Sequence, residues 1–548
     1  MSRKIIVPLI MASIIGFITT VLMIPEKKEI LGEQKKIAIV VPSYNNSKWY
    51  EKNLDSIFAQ QYDRYRVIYI DDCSTDNTYE LVKNYVEQHA FSDRFTIIRN
   101  TIRHTAVGNH FKAGHMCDDD EIIVHLDGDD WFKHDRVLQR VNTAYSDPNV
   151  WMTYGQFEIY PGSIVGWCRD IPTVIHEKNL YRNYEWVTSH LRTFYAWLFK
   201  QIKLKDCLHN SSWIPVSYDM AFTYPLLEMS REHTHFIPDV LYVYNCATVA
   251  NDHKLHLLEQ QYFNRLLRSK KKYAKIKESP LAIPQEKTQN SALVIFSENN
   301  PLQIQALLES VQDNVTGINT IHVLYRADNQ RYDQAYQKLH NQFPSILFKK
   351  YNKNPKSTLS PALQHVLAKN DYILFAHDSI ILKNHININD CTRMLDKTKA
   401  YGFYLSLGKN INHNPHIHRN LKQPRFVDFD NNISAWQFCC GQYDWKQPQT
   451  LSLALYRTAD IQKALEGIHY NDVETLEKMW SSAPFEMDNI GLVFNQAPAV
   501  IVDPSLPQDK LCALFDNKIK VDLEKIEMAD NQSFSRLALP LTTKTELA

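Results

Sequence analysis

The chain has 548 residues, 44% of them apolar and 22% charged, with 61 Lys+Arg against 61 Asp+Glu. That length predicts two or more domains with full cores, and the balanced charge excludes the bulk field of a nucleic-acid binder. Nine cysteines, none in a C-x-x-C spacing, argue against a disulfide framework and for small buried hydrophobes in a reducing compartment.

Taken in chain order, the first feature is residues 5–24, a run of 20 positions without a charged side chain. About 20 apolar residues suffice to cross a hydrocarbon core. Arg3 and Lys4 precede the run, Lys27, Lys28, Lys35 and Lys36 follow it, and no small-x-small cleavage site closes it. The expectation is an uncleaved single-pass membrane anchor, with the following domain on the cytoplasmic side.

Lys36–Val41 then reads as a buried strand running into Pro42-Ser43-Tyr44-Asn45-Asn46. A helical segment follows with Leu54, Ile57 and Phe58 on one face, then a second strand, Tyr65–Ile70, ending in Asp71-Asp72. Ser74 or Asp76 is placed to start the next helix, Tyr79–Gln88. The apolar run Ile122–Leu126 predicts a further buried strand, which ends in Asp127-Gly128-Asp129-Asp130. Strands alternating with helices, each strand ending in polar residues, predict an α/β domain with a mostly parallel, Rossmann-type sheet and ligand at the strand C-terminal ends. Carboxylates crowded at such an end repel one another unless a divalent cation with hard oxygen ligands, itself bound to phosphates, sits among them.

Tyr181–Lys203 is dense in aromatic residues. Leu191, Phe194, Leu198 and Ile202 share a helical face bound for the core, while surplus rings such as Trp186 fit an acceptor groove or a membrane-facing surface. Asp219 opens an apolar helical pattern. A basic run, Arg268–Lys277, leads into a stretch to Asn290 without apolar period, which reads as a linker with a solvated basic face.

After the linker the pattern restarts. Ser291–Asn300 lies on Ile37–Asn46 at a constant offset, so that Ser297 falls on Ser43, and Asp371–Ser379 repeats the acid-ended strand. This predicts an internal duplication. The second copy has Tyr325-Arg326 where the first has Asp71-Asp72, and one clear acid, Asp378, where the first has three. The reading is an anchor and flank over 1–30, a catalytic domain over 31–267, a linker over 268–290 and a degenerate second domain with a tail over 291–548. The histidine-rich stretch 412–418 reads as an exposed loop.

Val41-Pro-Ser-Tyr-Asn45, Asp71-Asp72-Cys-Ser-Thr-Asp76 and Leu126-Asp-Gly-Asp-Asp-Trp131 together resemble family 2 glycosyltransferases of GT-A fold. The resemblance covers residues 36–155, and the second copy looks like a divergent domain of the same type. It implies that Pro42, Tyr44 and Asn45 contact a nucleobase and that Asp72 accepts a hydrogen bond from a uracil-type N–H. It implies further that Asp127 and Gly128 belong to the donor turn, with Asp127 on ribose or metal, and that Asp129 is the direct ligand of Mn2+ or Mg2+. His253 would be a third metal ligand, and Arg103 would assist at the diphosphate. Family members carry Glu-Asp or a single Asp at the catalytic base; this chain has Tyr218-Asp219, so Asp219 takes that role, ahead of Glu228 and Asp206.

The activity so implied is metal-dependent, inverting transfer of a sugar from a nucleotide diphosphate sugar, UDP-linked by expectation, to a hydroxyl of a glycan, lipid or protein. The alternatives are a non-catalytic glycan- or nucleotide-binding scaffold and a bifunctional enzyme with two active domains. A nucleotidyltransferase would carry a glycine- and arginine-rich loop after the first strand, and none follows Val41.

Overall fold

A computed structural model describes residues 33–248, 257–282, 289–352, 358–411, 413–414, 419–420, 422–429, 432–503, 506–528 and 537–542. The expected anchor over 5–24 lies outside the described residues, as does His253; among the described residues no helix is long and apolar enough to cross a membrane.

The first sheet is built from β1 (Ile37–Ser43), β2 (Tyr65–Asp71), β3 (Phe95–Arg99), β4 (Ile122–His125), β5 (Trp131–Phe132), β6 (Met152–Tyr160), β7 (Thr193–Tyr195) and β8 (Thr234–Asn245), in the order β3-β2-β1-β4-β7-β6-β8-β5. The half made by β1 to β4 is parallel. Beyond it β7 runs antiparallel to both β4 and β6, β8 is parallel to β6, and β5 is antiparallel to β8. The sheet is therefore mixed, not mostly parallel. The apolar runs sit where both faces are covered: every residue of β1 and β4 is buried.

Four helices matter to the cleft at the strand ends. They are α1 (Tyr50–Phe58), α2 (Thr78–Gln88), α3 (Thr105–Gly114) and α4 (Tyr218–Ser230). Leu54 and Ile57 of α1 are buried, as their spacing requires. At the start of α2, Asp76 Oδ1 accepts from Thr78 N and Thr78 Oγ1, while Asn77 at the cap position takes a left-handed conformation with φ 67°. Leu191, Phe194, Leu198 and Ile202 are all buried, but only Ala196–Phe199 is helical. Their common burial comes from a short strand and turn.

The second sheet contains β9 (Ser291–Glu298), β10 (Thr320–Arg326), β11 (Leu347–Lys350), β12 (Tyr372–His377), β13 (Gly402–Gly408), β14 (Ile433–Gln437), β15 (Ala454–Arg457) and β16 (Ile490–Phe494). Its order, β11-β10-β9-β12-β15-β13-β16-β14, and the sense of each pairing as far as β16 repeat the first sheet strand for strand. Trp445 and Trp480 are core residues of this half.

The basic run is laced into the fold. Lys270 Nζ donates to the carbonyls of Lys205, Asp206 and Leu208, Lys272 to that of Asn179, and Lys271 and Lys275 pair with Glu486 and Glu232. Lys270 is drawn inward, while Lys271, Lys272, Lys275 and Lys277 are exposed, as expected of a solvated face. Beneath it the buried pair Arg182–Glu228 is bidentate at 2.5 and 2.8 Å, and Glu228 Oε2 also accepts from Tyr273 N. The two sheets meet through reciprocal bonds, Ser211 N to Gln437 Oε1 and Gln437 N to Ser211 Oγ, both 2.8 Å, and through Phe429 against Phe111 of α3.

Candidate active site

β1, β2 and β4 end side by side at a cleft of about 400 Å³. Asn53 of α1, fully buried, shapes the acidic turn after β4: its Nδ2 donates to the carbonyls of Asp127 (3.0 Å) and Asp130 (2.7 Å). Gly128 is required by packing, since a Cβ there would lie 2.8 Å from Ser43 Cβ and 2.9 Å from Asn46 Nδ2. It shapes the turn and leaves the lining to Asp127, Asp129 and Asp130.

The acids are held differently. Asp127 Oδ2 accepts from Tyr218 Oη at 2.6 Å. Asp130 is buried and takes Tyr242 Oη at 2.5 Å and Asn245 N at 2.7 Å. Burial, then the charges of Asp129 and Asp127, push its proton affinity well above that of an ordinary carboxylate. Ligand atoms of Asp127, Asp130 and His190 lie within 4.8 Å of one another. His190 stacks on Tyr242 at 4.3 Å between centroids, and burial followed by Arg192 holds its pKa well below the usual value, so the imidazole is neutral. Asp129, expected as the direct ligand, lines the same cleft but stands outside that converging set.

On the nucleotide side, Pro42 and Tyr44 line the cleft. The Arg103 guanidinium stacks 3.3 Å from the Tyr44 ring centroid and its Nε donates to Asp72 at 3.0 Å. Asp72 is also bound by Asn100 Nδ2, His104 N and Thr105 N at 2.8 to 3.0 Å. Both its oxygens therefore anchor the start of α3, so a base N–H would compete with four donors already in place. Asn45 points elsewhere: at φ 54° it accepts from Thr75 N and donates its own N–H to Ser74 Oγ, outside the lining.

On the opposite wall Asp219 sits in the first turn of α4 and lines the cleft, and among the described residues no hydrogen bond occupies its carboxylate. Beside it Arg192 is 2% exposed, with Nη2 donating to Tyr218 Oη at 3.0 Å. Burial opposes its charge, but Tyr218, Asp219 and Asp127 raise its pKa on balance. Arg192, Tyr218 and Asp127 thus form one chain of hydrogen bonds linking the two walls. Glu228 and Asp206 are occupied elsewhere, by Arg182 and by Tyr273.

Sequence reasoning missed His190, Arg192 and Tyr242. The one signal was a histidine and an arginine inside an otherwise apolar aromatic stretch, where an unpaired buried charge needs a reason.

The second sheet differs at the matching strand ends. Val40 pairs with His125 and Val294 with Phe375, so the register places His377 at the position of Asp127 and Asp378 at that of Gly128. Asp378 accepts from Ser297 Oγ at 2.8 Å, at the register position where Gly128 packs on Ser43 without a side chain. Arg326 pairs with Glu298 at 2.8 Å, and Gln508 caps the carbonyl of Glu298.

A Rossmann-type sheet with an acid-lined cleft across its central strand ends defines a nucleotide-binding α/β domain. Residues 38–210 match the family model of glycosyl transferase family 2. The bifunctional glycosyltransferase pgtA of Dictyostelium discoideum is 25% identical over 193 residues, 32% of this chain and 25% of that protein. The chain spans 25%, 38% and 33% of the length of the first curated relatives it matches. Among solved structures, Staphylococcus aureus TarS 1–349 in complex with UDP is 16% identical, with a TM-score of 0.31 over 42% of this chain and 64% of that one. The mannosyltransferase PcManGT from Pyrobaculum calidifontis, in complex with GDP-Man and Mn2+, is 20% identical, with a TM-score of 0.32 over 44% and 67%.

Proposed function

We propose that the first domain transfers a sugar from a nucleotide diphosphate sugar, UDP-linked, to an acceptor hydroxyl with inversion, and that the second domain is a non-catalytic partner. The observation that carries this is the cleft itself: an acidic turn on one wall and an unoccupied carboxylate, Asp219, on the other, joined through Tyr218 and Arg192.

The residues fit a hard divalent cation. Clustered carboxylates and a neutral imidazole are suitable donors. Asp127, His190 and either Asp129 or Asp130 would hold Mn2+ or Mg2+, which supplies charge to neutralise a departing diphosphate. Tyr44 with Arg103 orients the base and first phosphates. Asp219 removes the acceptor hydroxyl proton as attack proceeds, in the manner of a general base. Tyr218, kept protonated by burial and by Asp127, fixes Asp127 by donating to it. The stretch 5–24, as a single-pass anchor leaving this domain cytoplasmic, belongs to the same proposal.

Calorimetric titration with UDP and GDP, with and without Mn2+, tests the reading. The expected result is Mn2+-dependent binding of one nucleotide at one site, lost in Asp129→Ala. Loss in Asp130→Ala alone would move the ligand by one residue, and no binding at all would favour the scaffold.

A further inference from the structure

Resting on that transferase reading, we propose that the acceptor end of the cleft is a carbohydrate subsite, so that the acceptor is a glycan or glycoside. Two indole rings stand at this end. Trp167 is 52% exposed and lines the cleft beside Phe157, which it meets edge-on at 5.0 Å. Gly166 makes that placement possible: its N–H donates to the Phe157 carbonyl, and a Cβ there would lie 2.3 Å from the Phe157 ring. Trp186, half-buried, lies on the same cleft and is fixed edge-on by Tyr224 at 5.6 Å.

Polar groups without partners line the same cleft. Ser217 Oγ, two residues before Asp219, and Asn264 Oδ1, on the helix Leu257–Ser269, are buried and make no hydrogen bond. Both residues line the cleft, as does Gln260 one turn before Asn264. A buried polar atom left unpaired is costly, so such groups in a cleft call for a ligand that brings hydrogen-bond donors.

Flat apolar faces combined with unpaired hydroxyl and amide oxygens match a pyranose ring, which has an apolar C–H face and hydroxyl donors around its rim. A lipid chain would cover the indoles and leave Ser217 and Asn264 unsatisfied. A peptide would present amide donors, but no broad apolar ring face for Trp167.

The test uses the full chain in detergent with the nucleotide sugar selected by the donor titration. Candidate acceptors are p-nitrophenyl pyranosides, a Ser/Thr peptide, and vesicles containing diacylglycerol. The expected result is transfer to a pyranoside, with acceptor KM raised about tenfold or more in both Trp167→Ala and Asn264→Ala. The melting temperature and donor Kd of each variant, measured alongside, separate this loss from misfolding and from donor-site damage. Transfer only to peptide or to vesicle lipid, or unchanged acceptor KM in both variants, would overturn the subsite. Donor binding without transfer to any pyranoside overturns it alone; failure of donor binding overturns the transferase reading with it.

Discussion

The two sheets share an order and a set of pairings, yet their strand ends differ: the first ends in an acid-lined cleft, and in the second a buried carboxylate is bound to the end of the first strand. One register position illustrates the difference. Where the first sheet has Gly128, the turn packs directly on Ser43 with no room for a side chain; where the second has Asp378, the carboxylate accepts from Ser297 Oγ. An acid count along the strand treats Asp378 as a remnant of the site. The register places it at the position of Gly128, bound to Ser297, with Arg326 and Glu298 paired at the ends of the neighbouring strands. A fold can thus be kept while its strand ends change, because sheet topology depends on buried apolar strands and the cleft on a few polar positions at their ends.

The strongest way to break this comparison is to remove Asp219 on one side and the one retained acid, Asp378, on the other. Asp219→Asn is expected to lower turnover on the order of 10^3-fold with donor binding intact, while Asp378→Asn leaves turnover within about twofold, as expected away from the reacting groups. Steady-state kinetics with both variants checks this, and equal losses would make the second sheet a participant in the chemistry.

Next in size is Arg182→Ala. It strands Glu228 in the core, and breaking a buried pair in this way costs about 3–5 kcal/mol. Thermal unfolding should show the loss, with the first domain affected directly.

A smaller effect is pH-dependent. His115, enclosed between α3 and Phe429 of the second half, has its pKa lowered to about 4, first by burial. The folded chain therefore binds this proton less readily than the unfolded one. Stability from this group is complete above the ordinary histidine value of 6.5 and falls as pH drops from there toward 4. Melting curves over that range should flatten in His115→Phe.

The smallest effect belongs to Glu486, lowered from 4.5 to about 2, first by its hydrogen bond with Lys205 and then by that with Lys271. Its contribution is present above 4.5 and lost as pH falls toward 2. The carboxylate is 54% exposed, so Glu486→Gln should shift the acid transition by a few tenths of a kcal/mol at most.

Much of the first domain was legible because its strands are continuous apolar runs with polar ends, a pattern that burial on both faces imposes. The Asp127–Asp130 turn and Asp219 were legible for the same reason, each lying where a periodic element begins or ends. What was not legible depends on contacts across the fold. Asp72 looks free in sequence, but four donors from the start of α3 converge on it. Asn45 follows Tyr44 directly yet turns away through a positive φ. His190 and Arg192 reach the cleft only because β7 inserts antiparallel between β4 and β6, a pairing that local spacing does not encode.

The segment joining the two halves has a mechanical meaning. Tyr273 gives its backbone N–H to Glu228 and Ile276 gives its own to the carbonyl of Met229, so the connecting chain is fastened to the last turns of the helix whose first turn carries Asp219. Lys271, in the same segment, grips Glu486 of the second sheet. The connecting chain is therefore tied at one end to the helix that carries Asp219 and at the other to the second sheet, so the two halves share one continuous hydrogen-bonded seam.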